Sequence, residues 1–247
     1  MSGALEYRII SIGSLASHPL WGERSPVRTG HTTTTLIRSG DATIIVDPGL
    51  PAPALKARLG ERAGITPDKV THVFLTSFHP EARRGITLFE HADWMLSEAE
   101  RETVGVPIAQ SLGRLAESQE IAKQTGEEFH EDQQVTLEVL QRDIAILART
   151  QAAPDSLSDD VDLFPLPGYS PGACGLLLKG TIDTTLVCGD TIATVEHLEQ
   201  GKVLPGCADR EKALESFTEA LEIADLIIPG RDNLLINPTG NPRGPMG

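Results

Sequence analysis

The chain has 247 residues, and its 21 basic and 35 acidic side chains give a formal net charge of −14 at pH 7. Binding to nucleic acid depends on Lys and Arg contacts to phosphate, so this charge argues against a nucleic-acid partner and against an anionic membrane surface. The longest apolar runs fall well short of the roughly 18 residues of a membrane-spanning helix, and the start shows no signal peptide. Three cysteines without a Cys-x-x-Cys pair fit a reducing compartment, so we expect a cytoplasmic protein.

The first third of the chain predicts short strands. TTTLIRS and ATIIVD are β-rich runs separated by a turn signal at residues 39–41, and the Asp-Pro-Gly turn at 47–49 ends the second run. Residues 53–64 have apolar side chains at helical spacing and end in a glycine suited to a C-cap. THVFLTS then predicts a strand with Val73 and Leu75 on one face.

Residues 96 to about 150 are predicted to be mostly helical, with Ser97 as the N-cap. An apolar stripe in the second half of this region is expected to face the core. It comprises Val135, Leu137, Val139, Leu140, Ile144 and Leu147. The later runs VDLFPL, CGLLLKG, TTLVCGD and DLIIPG predict strands, and residues 212–224 predict an amphipathic helix.

This mixture of strands and helices predicts an α/β (α+β) protein with helices covering the faces of its sheets. We expect a single domain over residues 1–236, because no linker interrupts it. The Pro/Gly-rich tail at 237–247 is expected to fray.

Short polar motifs follow four of the predicted strands. They are TSFHPEA at residues 76–82, PGYSPG at 167–172, CGDT at 188–191 and PGRD at 229–232. Open sheets carry their functional sites in loops at the ends of buried strands. The four motifs are therefore expected to converge on one site.

In order and spacing, these motifs resemble the metallo-β-lactamase fold superfamily from about residue 31 to about residue 232. ATIIVDPGLP resembles its first strand motif with an Asp-x-Gly turn. THVFLTSFHPEARRG stands where the family has T-H-x-H-x-D-H-x-G, and LFPLPGYSPGACGLLL where it has T-P-G-H-T-P-G. LVCGDT stands at the family's G-D, and DLIIPGRD at its P-G-H-G. The resemblance implies a four-layer αβ/βα sandwich with two mixed sheets, and a hydrolase ancestry with one or two metals, usually zinc.

Most of the metal ligands that the resemblance implies are replaced in this chain. His79 and Asp190 match the family pattern, and Glu81 stands where the family has a shorter aspartate. The positions of the four other histidines are taken by Ser77, Ala82, Tyr169 and Arg231. Alanine offers no ligand atom, arginine is a fixed cation without a lone pair, and tyrosine must ionise from a pKa of about 10 to bind well.

We therefore expect no resident cofactor, and we expect Arg231 to occupy the place of the second ion with Asp190 and Glu81 as its counter-ions. Conventional dinuclear catalysis, including lactam hydrolysis, is not expected of this site. Asp47 is expected to support the site from behind.

The candidate catalytic residues are His79, Asp190 and Tyr169. The candidate ligand-binding residues are Arg231, Ser77, Glu81 and Arg84. Arg83 and Arg84 are interpreted either as meeting an anionic ligand at the pocket mouth or as a solvated charged pair.

Three functional classes stay open. The first is a metal-free member, a candidate pseudoenzyme, that binds a small-molecule ligand or has acquired other chemistry. The second is an interaction protein, such as a homo-oligomer. The third is a hydrolase with a remodelled mononuclear site, in which His79, Glu81 and Asp190 hold one zinc, iron or manganese ion.

Overall fold

The computed structural model describes residues 4–126 and 128–239. The strands are β1 (Glu6–Ser11), β2 (Thr34–Ser39), β3 (Ala42–Val46), β4 (His72–Leu75), β5 (Asp93–Leu96), β6 (Gln151–Ala152), β7 (Ser156–Ser158), β8 (Val161–Pro165), β9 (Cys174–Lys179), β10 (Thr184–Gly189), β11 (Leu226–Pro229) and β12 (Leu235–Ile236). The α-helices are α1 (Ala52–Ala63), α2 (Glu98–Thr125), α3 (Glu131–Arg149), α4 (Val195–Gln200) and α5 (Arg210–Ile223).

The strands form two mixed sheets of six strands each. The first has the order β1-β2-β3-β4-β5-β6, with β1 to β3 antiparallel and β3 to β6 parallel. The second has the order β12-β11-β10-β9-β8-β7, in which β10 and β11 run parallel and the other neighbours antiparallel. Parallel neighbours within each sheet bring the carboxyl ends of β3 and β4, and those of β10 and β11, to the same edge.

Four layers follow from the alternation of side chains along the strands. In β4, Phe74 packs between the two sheets, whereas Val73 and Leu75 pack on the opposite face with α1. In β10, Val187 faces the first sheet and Leu186 packs toward α5. Because both faces of these strands are buried, their sequences are continuous apolar runs rather than alternating ones. The predicted α/β sandwich is confirmed.

The predicted helical region forms two antiparallel helices, α2 and α3, separated by a turn at Gly126, whose φ of 71° is left-handed. Ser97 caps α2 by accepting from the Glu100 N–H, as predicted. The predicted core-facing stripe of α3 is wrong at two positions, since Val135 is 54% exposed and Val139 is 42% exposed. The single partner helix, α2, covers a narrower face of α3 than the apolar stripe spans. The margins of the stripe therefore stay exposed.

Three short strands, β6, β7 and β12, and the longer β1 were not among the predicted elements. Strands of two or three residues depend on sheet pairing and carry no periodic signal of their own. The start of the predicted tail is anchored, because the buried Asn237 donates its amide to the carbonyls of Leu221 and Ala224. Residues 240–247 of that tail lie outside the described residues.

Among the helices of residues 4–126 and 128–239, none combines the length and the apolar character needed to cross a bilayer.

Candidate functional site

Five of the predicted site residues come together where the two sheets share an edge. Ser77 and His79 follow β4, Tyr169 lies in the loop between β8 and β9, Asp190 follows β10, and Arg231 follows β11. The rings of His79 and Tyr169 have their centroids 6.1 Å apart. Glu81 joins them from the short 3-10 turn Pro80–Ala82.

An ion-pair triad defines the centre of this site. Arg231 donates from Nε to Asp190 Oδ1 and from Nη2 to Asp190 Oδ2, both at 2.7 Å, and it also donates from Nη1 to Glu81 Oε2. The Arg231 and Asp190 side chains are each 2% exposed, and Glu81 is 24% exposed. The planar fork of the guanidinium matches both carboxylate oxygens of Asp190, a geometry that a lysine or a point charge does not reproduce.

The triad fixes the charge states of its members. Burial by itself raises the pKa of Asp190, but Arg231 outweighs it and holds that pKa below its ordinary value. Burial likewise opposes the charge on Arg231, yet Asp190 and Glu81 together raise its pKa. Asp190 and Arg231 are therefore held charged at neutral pH.

Close packing behind the triad depends on Gly230. A Cβ atom at this position would lie 2.5 Å from Asp190 Oδ1 and 2.7 Å from the Gly189 carbonyl carbon. Those distances are shorter than any van der Waals contact, so only glycine allows the chain to bring Arg231 alongside Asp190.

A run of buried threonines at the start of β2 fixes the surrounding loops. Thr33 donates from its backbone N–H to the Gly230 carbonyl at 2.7 Å and from Oγ1 to the Asp232 carbonyl at 2.7 Å. Thr32 Oγ1 donates to the Glu81 carbonyl at 3.1 Å. Thr33 of the TTTLIRS run, which was predicted only as a strand, thus also holds the loop that carries Arg231, and Thr32 just before the run holds the loop that carries Glu81.

The three remaining side chains offer neutral hydrogen-bonding groups. Burial lowers the pKa of His79, and its Nδ1 accepts from the Glu81 N–H at 3.3 Å, so Nδ1 is the unprotonated nitrogen. Burial and the adjacent Asp190 raise the pKa of Tyr169, so its phenol keeps its proton at physiological pH. Ser77 is 3% exposed.

Arg84 and Arg83 differ in their exposure and their contacts. Arg84 is exposed and does not join the cluster around Arg231. Arg83 is buried; it pairs with Asp143 of α3 at 2.8 Å, donates from Nε to the Phe78 carbonyl and stacks on the Phe78 ring at 4.1 Å. The interpretation of Arg83 as a solvated charge is therefore wrong, because the side chain is buried and Asp143 of α3 supplies a counter-ion.

Sequence reasoning missed Glu100, a buried carboxylate in the first turn of α2. Its Oε1 accepts from the Phe78 N–H at 2.9 Å, and its Oε2 accepts from Ser170 Oγ at 2.8 Å and from the Gly172 N–H at 3.1 Å. Glu100 thereby joins the loop that carries Ser77 and His79 to the loop that carries Tyr169. In the sequence it resembles any other glutamate of a helical first turn.

A second polar cluster holds residues 14–31 against α4. His18 Nε2 lies 3.1 Å from Thr194 Oγ1, and His197 Nδ1 lies 2.9 Å from the same hydroxyl. Trp21 stacks on His18 and donates to Glu196 at 3.0 Å. Burial lowers the pKa of His197 to about 4, so this imidazole is neutral at physiological pH.

Asp47 supports the site through Thr76, as expected from its Asp-Pro-Gly turn. Its carboxylate accepts from the Thr76 N–H at 2.8 Å and from Thr76 Oγ1 at 2.6 Å, and its φ of 46° is left-handed. Burial raises the pKa of Asp47 from 3.8 to about 7.

Replacing Asp47 with asparagine is expected to change the pH dependence of stability. Between pH 4 and 7 the folded chain keeps a proton on Asp47 that the unfolded chain releases, so this group's contribution falls as pH rises through that window. The shift corresponds to about 4 kcal/mol. Asp47→Asn should therefore gain stability relative to the unsubstituted protein between pH 5 and pH 8, as measured by urea unfolding. Asp41→Asn, an exposed turn residue, serves as the control, and an equal pH response of the two variants would refute the expectation.

The residues at this site do not fit a divalent metal ion. Both oxygens of Asp190 and one of Glu81 already accept from a guanidinium that lies among them, and a metal ion would have to share these ligands with a cation at contact distance. At the other metal position of the family pattern, Tyr169 keeps its proton and Ser77 is neutral. His79 is therefore the one good ligand there. Within residues 4–126 and 128–239, no group of three or more His, Cys, Asp or Glu side chains is arranged to hold a metal.

Comparisons with known proteins agree with this architecture. A sequence profile described as metallo-beta-lactamase superfamily matches residues 27–231. A search of curated proteins finds no match.

Solved structures share the fold at low identity. A Thermotoga maritima protein described as a metallo-beta-lactamase has 18% identity and a TM-score of 0.65, with 95% of this chain and 100% of that chain covered. AidC, described as a dizinc quorum-quenching lactonase, has 15% identity and a TM-score of 0.60, with 83% of this chain and 74% of that chain covered. AiiA from B. thuringiensis has 17% identity and a TM-score of 0.58, with 89% and 87% covered. At such identities the likeness concerns the fold.

Proposed function

The chain belongs to the metallo-beta-lactamase superfamily, and we propose that it is a member whose site binds a small organic molecule without a resident metal ion. The observation that carries this proposal is the bidentate pairing of Arg231 with Asp190, joined by Glu81. The guanidinium compensates the buried Asp190 carboxylate and part of the charge of Glu81, a role that a divalent ion would have in a metal site.

The chemistry of the remaining groups supports binding rather than metal-assisted hydrolysis. Hydrolysis in metal sites depends on a water whose pKa is lowered by the ion. Here the side chains beside the triad are a serine hydroxyl, a neutral imidazole and a protonated phenol, namely Ser77, His79 and Tyr169. Such groups orient a ligand through a few hydrogen bonds.

Metal uptake by the purified protein tests the proposal. The untagged protein is incubated with zinc, iron(II) or manganese(II), desalted without chelator and measured by elemental analysis. We expect far less than one equivalent of any metal, because Arg231 occupies the carboxylates. One equivalent of metal that is lost in His79→Ala but kept in His72→Ala, at the opposite end of β4, would overturn the proposal in favour of a mononuclear hydrolase.

A further inference from the structure

A groove beside the triad provides space for a ligand. It has a volume of about 620 Å³ and runs from Ser77, His79 and Tyr169 along the first turns of α2. This size lies within the range of small-molecule sites, which is about 300–1,000 Å³.

The wall along α2 is mainly apolar. It is lined by Val104, Pro107 and Ile108. Phe78 and Pro205 extend the apolar lining beyond the helix. Val104 and Ile108 are partly buried against the core under the first sheet, so this wall is fixed by packing. An apolar body of six or more carbons would remove such a surface from water.

The end of the groove at the triad is polar and incompletely satisfied. The Ser77 side chain lines the groove and is 3% exposed, and no group among the described residues hydrogen bonds to its hydroxyl. Its Oγ is therefore available to accept a hydrogen bond from a ligand in the groove. The imidazole of His79 lies at the same end.

Charge in and around the groove is predominantly negative. Two guanidinium groups, those of Arg231 and Arg83, face four carboxylates, those of Asp190, Glu81, Asp143 and Glu100. Arg142 also acts on Arg83, but it is exposed and does not line the groove, so an excess of negative charge remains. Arg231, a candidate ligand-binding residue, has its donors directed at carboxylates, and its side chain is 2% exposed.

We infer that this groove binds an organic cation, an amine with an apolar body that lies along α2 and an ammonium end that donates to the Ser77 hydroxyl. The inference deepens the proposed function and rests on it, since a metal ion at the triad would reverse the local charge. A carboxylate or phosphate end would meet the negative excess in a partly dehydrated site, where like charges repel strongly.

Three probes with one apolar body and different polar ends test the charge preference. They are 4-phenylbutylamine, 4-phenylbutan-1-ol and 4-phenylbutyrate, titrated by calorimetry at pH 7. The amine is expected to bind at least about tenfold more tightly than the acid, with the alcohol between them, and the difference should shrink in high salt. An acid that binds as tightly as the amine, an alcohol tighter than both, or no saturable binding of any probe at millimolar concentration overturns the inference.

Variants at the groove rim locate the binding. Thr103 is exposed, lines the groove and bonds only within its own helix, so its replacement leaves the core intact. Thr103→Lys should weaken amine binding roughly fivefold and Thr103→Glu should strengthen it. Ala109→Lys, exposed on α2 but outside the groove, should change it little, with circular dichroism confirming that each variant folds. Equal effects of Thr103→Lys and Ala109→Lys would show that the amine binds elsewhere.

The two proposals fail in different ways. Stoichiometric metal uptake overturns the metal-free site whatever the probes do. A metal-free protein that prefers the acid keeps the proposed function and loses only the assignment of ligand charge.

Discussion

Replacing Arg231 with alanine is expected to lower the free energy of unfolding by about 3–5 kcal/mol, because breaking a buried ion pair leaves its partner charge uncompensated. Asp190 would lose two charge-assisted bonds while 2% exposed, and Glu81 would lose one. The pKa of Asp190 should then rise, since Arg231 is what holds it low against the effect of burial. Urea unfolding followed by circular dichroism measures the loss, which should be smaller at acid pH, where Asp190 becomes protonated.

Arg28→Ala provides the control for this substitution. Arg28 also makes a two-pronged ion pair, with Glu23, but its side chain is 34% exposed, so its loss should cost about 1 kcal/mol or less. A second variant that combines Arg231→Met, Asp190→Asn and Glu81→Gln removes the charges together and should recover much of the stability. If Arg231→Ala costs no more than Arg28→Ala, the guanidinium does not compensate the buried carboxylates.

The pairing of Arg231 with Asp190 and Glu81 could be predicted from sequence, because the family pattern assigns all three residues to one place. Residue chemistry then constrains the outcome, since an arginine can pair with both carboxylates and has no lone pair to offer a metal ion. The strands behind the site were equally predictable. β3, β4 and β10 are apolar runs that end at turn residues, and this signal is local in the sequence.

Other parts of the site depend on contacts between distant segments. Arg83 is buried because Asp143, on a helix 60 residues away, covers it, and neither residue differs in sequence from an exposed charge. Glu100 likewise belongs to the site only because two loops fold onto the first turn of α2. The exposure of Val135 and Val139 has the same origin, since the number of helices that pack on α3 is a property of the whole fold.

Replacing Glu100 with alanine is the second substitution expected to have a large effect. Its carboxylate is 1% exposed and accepts from two backbone N–H groups and one hydroxyl on separate loops. Gly172 lies so close to the backbone of this helical turn that a Cβ atom would clash with it, so the loop cannot move in to replace the lost carboxylate. Water would reach the buried N–H groups of Phe78 and Gly172 only if the loops separate, and we expect a loss of about 3–5 kcal/mol in the free energy of unfolding.

The comparison that isolates this bridging role is Glu98→Ala. Glu98 lies in the same first turn of α2 but is exposed, so its removal forfeits only its interaction with the helix N-terminus, about 0.5 kcal/mol. Glu100→Gln keeps the shape of the side chain but points an amide donor at groups that are themselves donors, so it should fall between the two alanine variants. Equal stability of Glu98→Ala and Glu100→Ala in urea unfolding would mean that the two loops hold their positions without the carboxylate. A large loss confined to Glu100→Ala would show that one side chain of α2 stabilises the ligand groove. That side chain connects the loop of Ser77 and His79 with the loop of Tyr169 and with the helix that forms the groove's apolar wall.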